Sequence, residues 1–223
     1  MSDVHIKTDT RELILDAAEC IFGRFGYKKT TVEDIANEVG VSRATLYLHF
    51  EGKEDIALSW IDRKNDIIYR ELLGVSQLDH DPSSIIHKMI VARIMNVFDR
   101  ACAFTESIDE LLAALRPQLF LRRETHHELQ ANLFQQVIQR GEDLGQFRSE
   151  DPARMARMLV IASNSLMPYN LSAKQFSQRE LILHEAEDLA DFLLQGLLYR
   201  VDDAHTLVSP ERMNKEQQNV GTN

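Results

Sequence analysis

Apolar residues along this chain recur at three- and four-residue steps, and no run alternates with the period of a strand. The pattern therefore predicts helices throughout. The first begins at Thr10, after a loose arm over residues 1–8. It carries Ile14, Ala17, Ala18, Ile21, Phe22 and Phe25 on one face and ends at Phe25-Gly26-Tyr27. Val32, Ile35, Ala36 and Val39 mark a short second helix. Thr30 and Thr31 are N-caps for it, with Glu33 and Asp34 three residues on, as a capping box requires. Gly40 falls where a left-handed residue closes a helix cheaply. Ser42 caps a third helix whose apolar anchors are found among Ala44, Leu46, Tyr47 and Phe50.

A fourth helix is expected from about Lys53 to Leu73, along Ile56, Ala57, Trp60, Ile61, Lys64, Ile67 and Ile68. Gly74 to Asp81 reads as a polar connection, and Asp81-Pro82 opens the next helix in cap-then-proline order. Ser107 starts a short helix that Arg116-Pro117 interrupts, and a further pattern runs from Pro117 to about Leu144. Asp151-Pro152 opens another helix. Met158 to Ala162 within it is apolar on every side, and so is most of Leu189 to Val201. Such helices are buried on more than one face, so a partner surface is implied. From Asp202 the chain is polar and expected to be disordered.

The second and third helices, joined by Val39-Gly40-Val41-Ser42, have the helix-turn-helix layout, in which the second member can enter a DNA major groove. Ser42, Arg43, Ala44, Thr45, Tyr47 and His49 lie together near the start of that member. Arg and Thr read base edges or hold phosphates, and Tyr reaches backbone oxygens. Lys28 and Lys29 precede the pair, Thr30 and Thr31 open it, and Lys53 follows it, all placed to face phosphates.

The run TTVEDIANEVGVSRATLYLHFEGKEDI resembles the signature of the TetR family of bacterial transcriptional regulators, as does TRELILDAAECIFGRFGYKKTT before it. The likeness covers about 50 residues without a gap, including the Tyr-x-His-Phe-x-x-Lys ending. It implies DNA-contacting roles for Thr31, Arg43, Thr45, Tyr47, His49 and Lys53. Gly52 departs from the family, which more often caps the next helix with Ser or Asn. Gly is a tolerable N-cap. The resemblance also implies a last pair of helices forming a four-helix bundle between two subunits, and a small effector bound within the regulatory half.

Net charge is −10, which suits a nucleic-acid binder poorly at first sight. Residues 1–53, however, hold seven basic and nine acidic side chains, so most of the acidity lies beyond the candidate reader. The local pattern governs phosphate binding. Cys20 and Cys102 form no disulfide or metal framework, and their apolar helical surroundings mark both as buried thiols in a reducing cytoplasm. No signal segment or membrane-length apolar run is present, so a soluble, cytoplasmic protein is expected. An enzyme finds no support: there is no phosphate loop, nucleophile elbow or zinc-protease helix. His126-His127, flanked by Glu124 and Glu128, reads as a solvated polar face, because adjacent histidines diverge by about 100° on a helix and share no ligand face. No metal or cofactor is expected beyond an unidentified small-molecule effector.

The expected architecture is all-α. A helix-turn-helix DNA-binding head covers residues 1–52, a regulatory and dimerising body 53–201, and a tail 202–223. Effector contacts are expected from Trp60, Phe98, Phe104, Phe120 and Met158, with Arg116, Ser163 and Asn164 as polar groups. The homodimer is expected to close through Leu159, Leu166, Leu189, Phe192, Leu193, Gly196 and Leu197. Double-stranded DNA, a second copy and the effector are the implied partners. A ligand-responsive regulator, a repressor by preference, is the resulting expectation, with a helical protein–protein adaptor as the competing class.

Overall fold

The computed structural model describes residues 2–101 and 105–198, without the side chains of residues 2–9, 105–109, 112 and 173. The helices are α1 (Ser2–Phe25), α2 (Val32–Val39), α3 (Arg43–Tyr47), α4 (Lys53–Ser76), α5 (Pro82–Ala101), α6 (Thr105–Asp143), α7 (Pro152–Ser163), α8 (Ala173–Phe176) and α9 (Arg179–Gln195). Two single 3₁₀ turns, Asn164–Leu166 and Pro168–Asn170, lie between α7 and α8.

Several boundaries differ from the sequence pattern. α1 starts at Ser2 rather than Thr10, and Phe25 at its end is 49% exposed instead of lying on the buried face. α4 runs through Gly74 to Ser76, because Leu72 and Ser76 are both buried and hold its last turn in place. α6 is one helix of 39 residues with Pro117 inside it. Proline removes one backbone donor, but Leu111 and Leu115 on one side and Ala131, Leu133 and Phe134 on the other are buried in separate cores. Anchored at both ends, the helix stays continuous. α9 runs from Arg179 to Gln195, so the apolar stretch from Leu189 is its C-terminal part and outlasts it. Cys20 is exposed rather than buried, while Cys102 and the tail from residue 202 lie outside the described residues.

The head core gathers Ile14, Ala18, Ile21 and Phe22 of α1, Ile35 and Ala36 of α2, Leu46, and Phe50. It also takes in Ile56, Ala57 and Trp60 of α4 and Leu111 and Leu115 of α6. Three short helices bury too little apolar surface alone, and here the body completes them. In the body, α5 packs on α4, α6 and α9, and α7 packs on α6. Its fully buried Ile85, Ile86, Met89, Ile90, Ile94 and Phe98 form the centre of that core. Gly145, at φ 71°, turns the chain after α6 and brings the Phe147 ring over Gly141, where a Cβ would approach the ring to 2.1 Å.

Candidate nucleic-acid interface and effector cavity

Local hydrogen bonds shape the reading unit. The Thr31 hydroxyl accepts from the backbone N–H of Asp34 at 3.2 Å, and the Asp34 carboxylate accepts from the Thr31 N–H at 2.8 Å. That is the capping box expected from sequence, and the bonds from Thr31 hold the Asp34 carboxyl below its ordinary pKa. Gly40, at φ 78°, donates to Ala36 and Asn37 and ends α2. Ser42 accepts from the Thr45 N–H at 3.0 Å and starts α3. Buried Leu46 and Phe50 pin α3 to the head, which leaves Ser42, Arg43, Ala44, Tyr47 and Leu48 exposed and Thr45 and His49 half-buried. Ala44 and Tyr47 are therefore surface groups rather than anchors.

Arg43 lies along this surface. Its Nε is 3.4 Å from Glu33 Oε2, and its Nη2 donates to the Tyr47 hydroxyl at 3.3 Å. Lys28 is exposed. Two candidates sit elsewhere than expected. Thr30 is 1% exposed, and its hydroxyl donates to the Gly26 carbonyl, so it shapes the turn and offers nothing to DNA. Lys53 donates from Nζ to the carbonyls of Tyr27 and Thr30, both at 2.9 Å, with the ammonium 4.5 Å from the centre of the Tyr27 ring. Partial burial lowers its pKa. It ties α4 to the turn before α2.

A cavity of about 870 Å³ lies in the body, bounded by α4, α5, α6 and the turns after α7. That is ample for a drug-sized molecule. Of the expected ligand contacts, Trp60, Arg116, Phe120 and Asn164 line it. Phe98 is fully buried in the core against Phe176 instead, because the wall of α5 turns Arg93 and Val97 toward the space. Met158 points outward, 44% exposed. Ser163 lies behind the wall, where its hydroxyl accepts from Arg93 at 2.8 Å. Phe104 lies outside the described residues. His126 and His127 line the cavity rather than forming a solvated face, and His126 Nε2 is 3.2 Å from Asp62 Oδ1.

Sequence reasoning overlooked Arg93, which sat within an apolar helical run. It is 2% exposed, and it donates to Gln130 at 2.7 Å, Ser163 at 2.8 Å and Asn164 at 2.8 Å. Burial lowers its pKa to about 10, so it remains a cation. Burial, followed by the charges of Arg93, Arg123 and His126, lowers the His127 pKa to about 4.

The last long helices each expose apolar groups among charged ones. α7 exposes Met158 (44%) and Ile161 (56%), and α9 exposes Leu181 (43%) and Phe192 (71%). Of the expected dimer contacts, Phe192 and Gly196 are exposed, and Leu166, Leu189 and Leu193 are half-buried. Leu159 (2%) and Leu197 (1%) are enclosed in the body core of a single chain, so neither is available to a partner. Among the described residues, no helix is long and apolar enough to cross a membrane.

Comparison with known proteins places this arrangement. Residues 14–59 match the family model described as bacterial regulatory proteins, tetR family. The HTH-type transcriptional repressor BepR of Brucella suis is 29% identical over 167 residues, 69% of this chain and 76% of the relative. A transcriptional regulator from Cytophaga hutchinsonii superposes with TM-score 0.67 at 20% identity, over 84% of this chain and 98% of that one. The structure of a SmeT–triclosan complex superposes with TM-score 0.60 at 25% identity, over 86% of this chain and 93% of that one.

Proposed function

The chain belongs to the TetR family of bacterial transcriptional regulators, and from that premise we propose how it works: a homodimer that reads a two-fold symmetric operator through α3 and releases it when a small molecule fills the body cavity. One of the residues shared by head and body carries this reading. The Trp60 ring lies 6.1 Å from Phe22 in the head core, its Nε1 donates to Glu19 of α1 at 3.2 Å, and it also lines the cavity. A ligand that displaces Trp60 acts on α1 directly.

A second line of contact runs along α6. Arg122 and His126 pair with Asp62 of α4, and Gln118 donates to Glu54 at 2.6 Å. Further toward the head, the Glu110 carboxylate accepts from the backbone N–H of Lys28 at 2.9 Å. Arg116, Phe120 and Arg123 of the same helix line the cavity. Motion of α6 on ligand binding therefore reaches both α4 and the turn before α2. Only a ligand with different affinity for the two arrangements shifts their balance.

Assembly uses exposed groups of α7 (Arg154 and Met158) and of α9 (Leu181, Asp188 and Phe192). In a two-fold bundle these faces meet their symmetry copies and the exposed apolar groups pack. Two heads then read half-sites about one helical turn, roughly 34–36 Å, or a multiple of it apart. The test is selection of genomic fragments on the purified protein, followed by fluorescence anisotropy with the recovered sequence. Tight binding to that sequence as a dimer, lost on scrambling it, is expected. Affinity no better than for scrambled DNA would overturn the reading.

A further inference from the structure

We infer that the effector is an anion with an apolar body, held by Arg93 and Arg123 in the cavity wall. The inference rests on the effector-release reading above and names the chemistry of its ligand.

The cavity wall is cationic in a chain that is acidic overall. Three cations line it with carboxylate partners already in place: Lys64 with Glu19, Arg100 with Glu71, and Arg122 with Asp62. None of those carboxylates lines the space itself, and among the described residues no Asp or Glu does. Arg93, Arg116 and Arg123 also line it, and no carboxylate pairs with them among the described residues. Among the described residues, the wall therefore presents positive charge without a carboxylate partner.

Arg93 is the most deeply buried of these three. A buried guanidinium ordinarily has a carboxylate partner, because desolvating an isolated charge is unfavourable. Here all three described partners are neutral: the side-chain oxygens of Gln130, Ser163 and Asn164. They orient the group without neutralising it. A guanidinium has more N–H donors than these three bonds use, and its planar fork matches a carboxylate, sulfonate or phosphate. Gln130 on α6 and Ser163 and Asn164 at the end of α7 fix the fork from two sides, so the site is organised before any ligand arrives.

Arg123 supplies the second cation. Its guanidinium lies 4.5 Å from the centre of the Phe120 ring and 5.6 Å from that of Tyr169, so aromatic faces hold it at the wall. The apolar part of a ligand has Trp60, Ile61, Ile68, Val97 and Leu119 to pack on. His127 is consistent with this polarity. The positive field of Arg93 and Arg123 helps keep it neutral, and an anion between them would relieve that field.

A matched pair of probes tests the inference. Anilinonaphthalenesulfonate and phenylnaphthylamine share an aromatic skeleton, and only the first carries a sulfonate. Calorimetry on the full-length dimer should show one sulfonate site per chain, at least tenfold tighter than the uncharged amine. Arg93→Met and Arg123→Gln should each remove most of that preference. A cooperative unfolding transition retained by ligand-free Arg93→Met separates lost binding from lost folding. Equal affinity for the two probes, or an undiminished preference in both variants, would overturn the inference. Operator release is read in parallel. Release by both probes alike would leave the regulatory reading standing while overturning the anion assignment. A sulfonate preference that depends on Arg93, in a protein without selective DNA binding, would support the assignment and overturn the regulatory reading.

Discussion

The ammonium of Lys53, the first residue of α4, donates to the carbonyl of Thr30, the residue before the N-cap of α2, at 2.9 Å. The same nitrogen reaches the Tyr27 carbonyl at 2.9 Å. A charge at the body's leading helix thus holds the turn that positions the reading unit. Lys53→Met should lower stability by about 1.5–3 kcal/mol, the usual range for hydrogen bonds to a charged group, measured by urea unfolding. An unchanged midpoint would leave the two contacts without energetic weight.

Arg43 and Lys28 should separate in their effects on DNA. Arg43→Ala should relax base preference, by about 1–3 kcal/mol if the guanidinium makes a bidentate contact to guanine. Lys28→Ala should weaken all sequences alike and reduce the salt slope by about one. Anisotropy titrations at several salt concentrations with selected and scrambled DNA read both quantities. Equal loss of discrimination in the two variants would sink this division of roles. Glu33 pairs with Arg43 when no DNA is present, so Glu33→Gln should leave that side chain freer to engage.

Phe192→Glu and Leu197→Glu lie five residues apart and should fail differently. The first places a charge at an exposed apolar position and should yield a folded monomer in sedimentation. The second buries a charge at a site only 1% exposed and should unfold the body. A folded dimer for Phe192→Glu would move the interface away from α9.

His127 should titrate near pH 4 in ligand-free protein, held low by burial and by Arg93, Arg123 and His126. Above its ordinary value of 6.5 the ring is neutral in both folded and unfolded chains and contributes nothing to pH dependence. As pH falls from there toward about 4, the unfolded chain takes up a proton that the folded chain does not, so stability declines through that window. Imidazole NMR titration checks the value. His127→Gln should flatten that part of the stability profile.

Gly141→Ala would place a methyl group within 2.1 Å of the Phe147 ring. Expelling that ring should cost about 1–3 kcal/mol, in the range of overpacked sites, and loosen the turn after α6. Thermal unfolding that matches the unmodified chain would show that Phe147 has somewhere else to go.

The sequence by itself determined the parts that depend on near neighbours along the chain. The Thr31–Asp34 capping box, the left-handed Gly40 and the Ser42 cap are interactions across three or four residues, and their residue types announce them. The helical period and the resemblance of the head were legible for the same reason. Tertiary structure decided which helix face meets which neighbour. Arg93 stands in an apolar run that reads as core, and only contacts with Ser163 and Asn164, 70 and 71 residues away, make it a held cation in a cavity wall. Lys53 reads as a phosphate contact until the chain 23 residues earlier folds back beneath its ammonium. Leu197 and Phe192 are both apolar residues near the end of α9, and the packing of α9 on α5 puts one inside and leaves the other bare. Pro117 reads as a break, yet anchoring in two cores keeps α6 whole. Periodicity tells how much apolar surface a helix carries, but the partner that covers it comes from distant sequence.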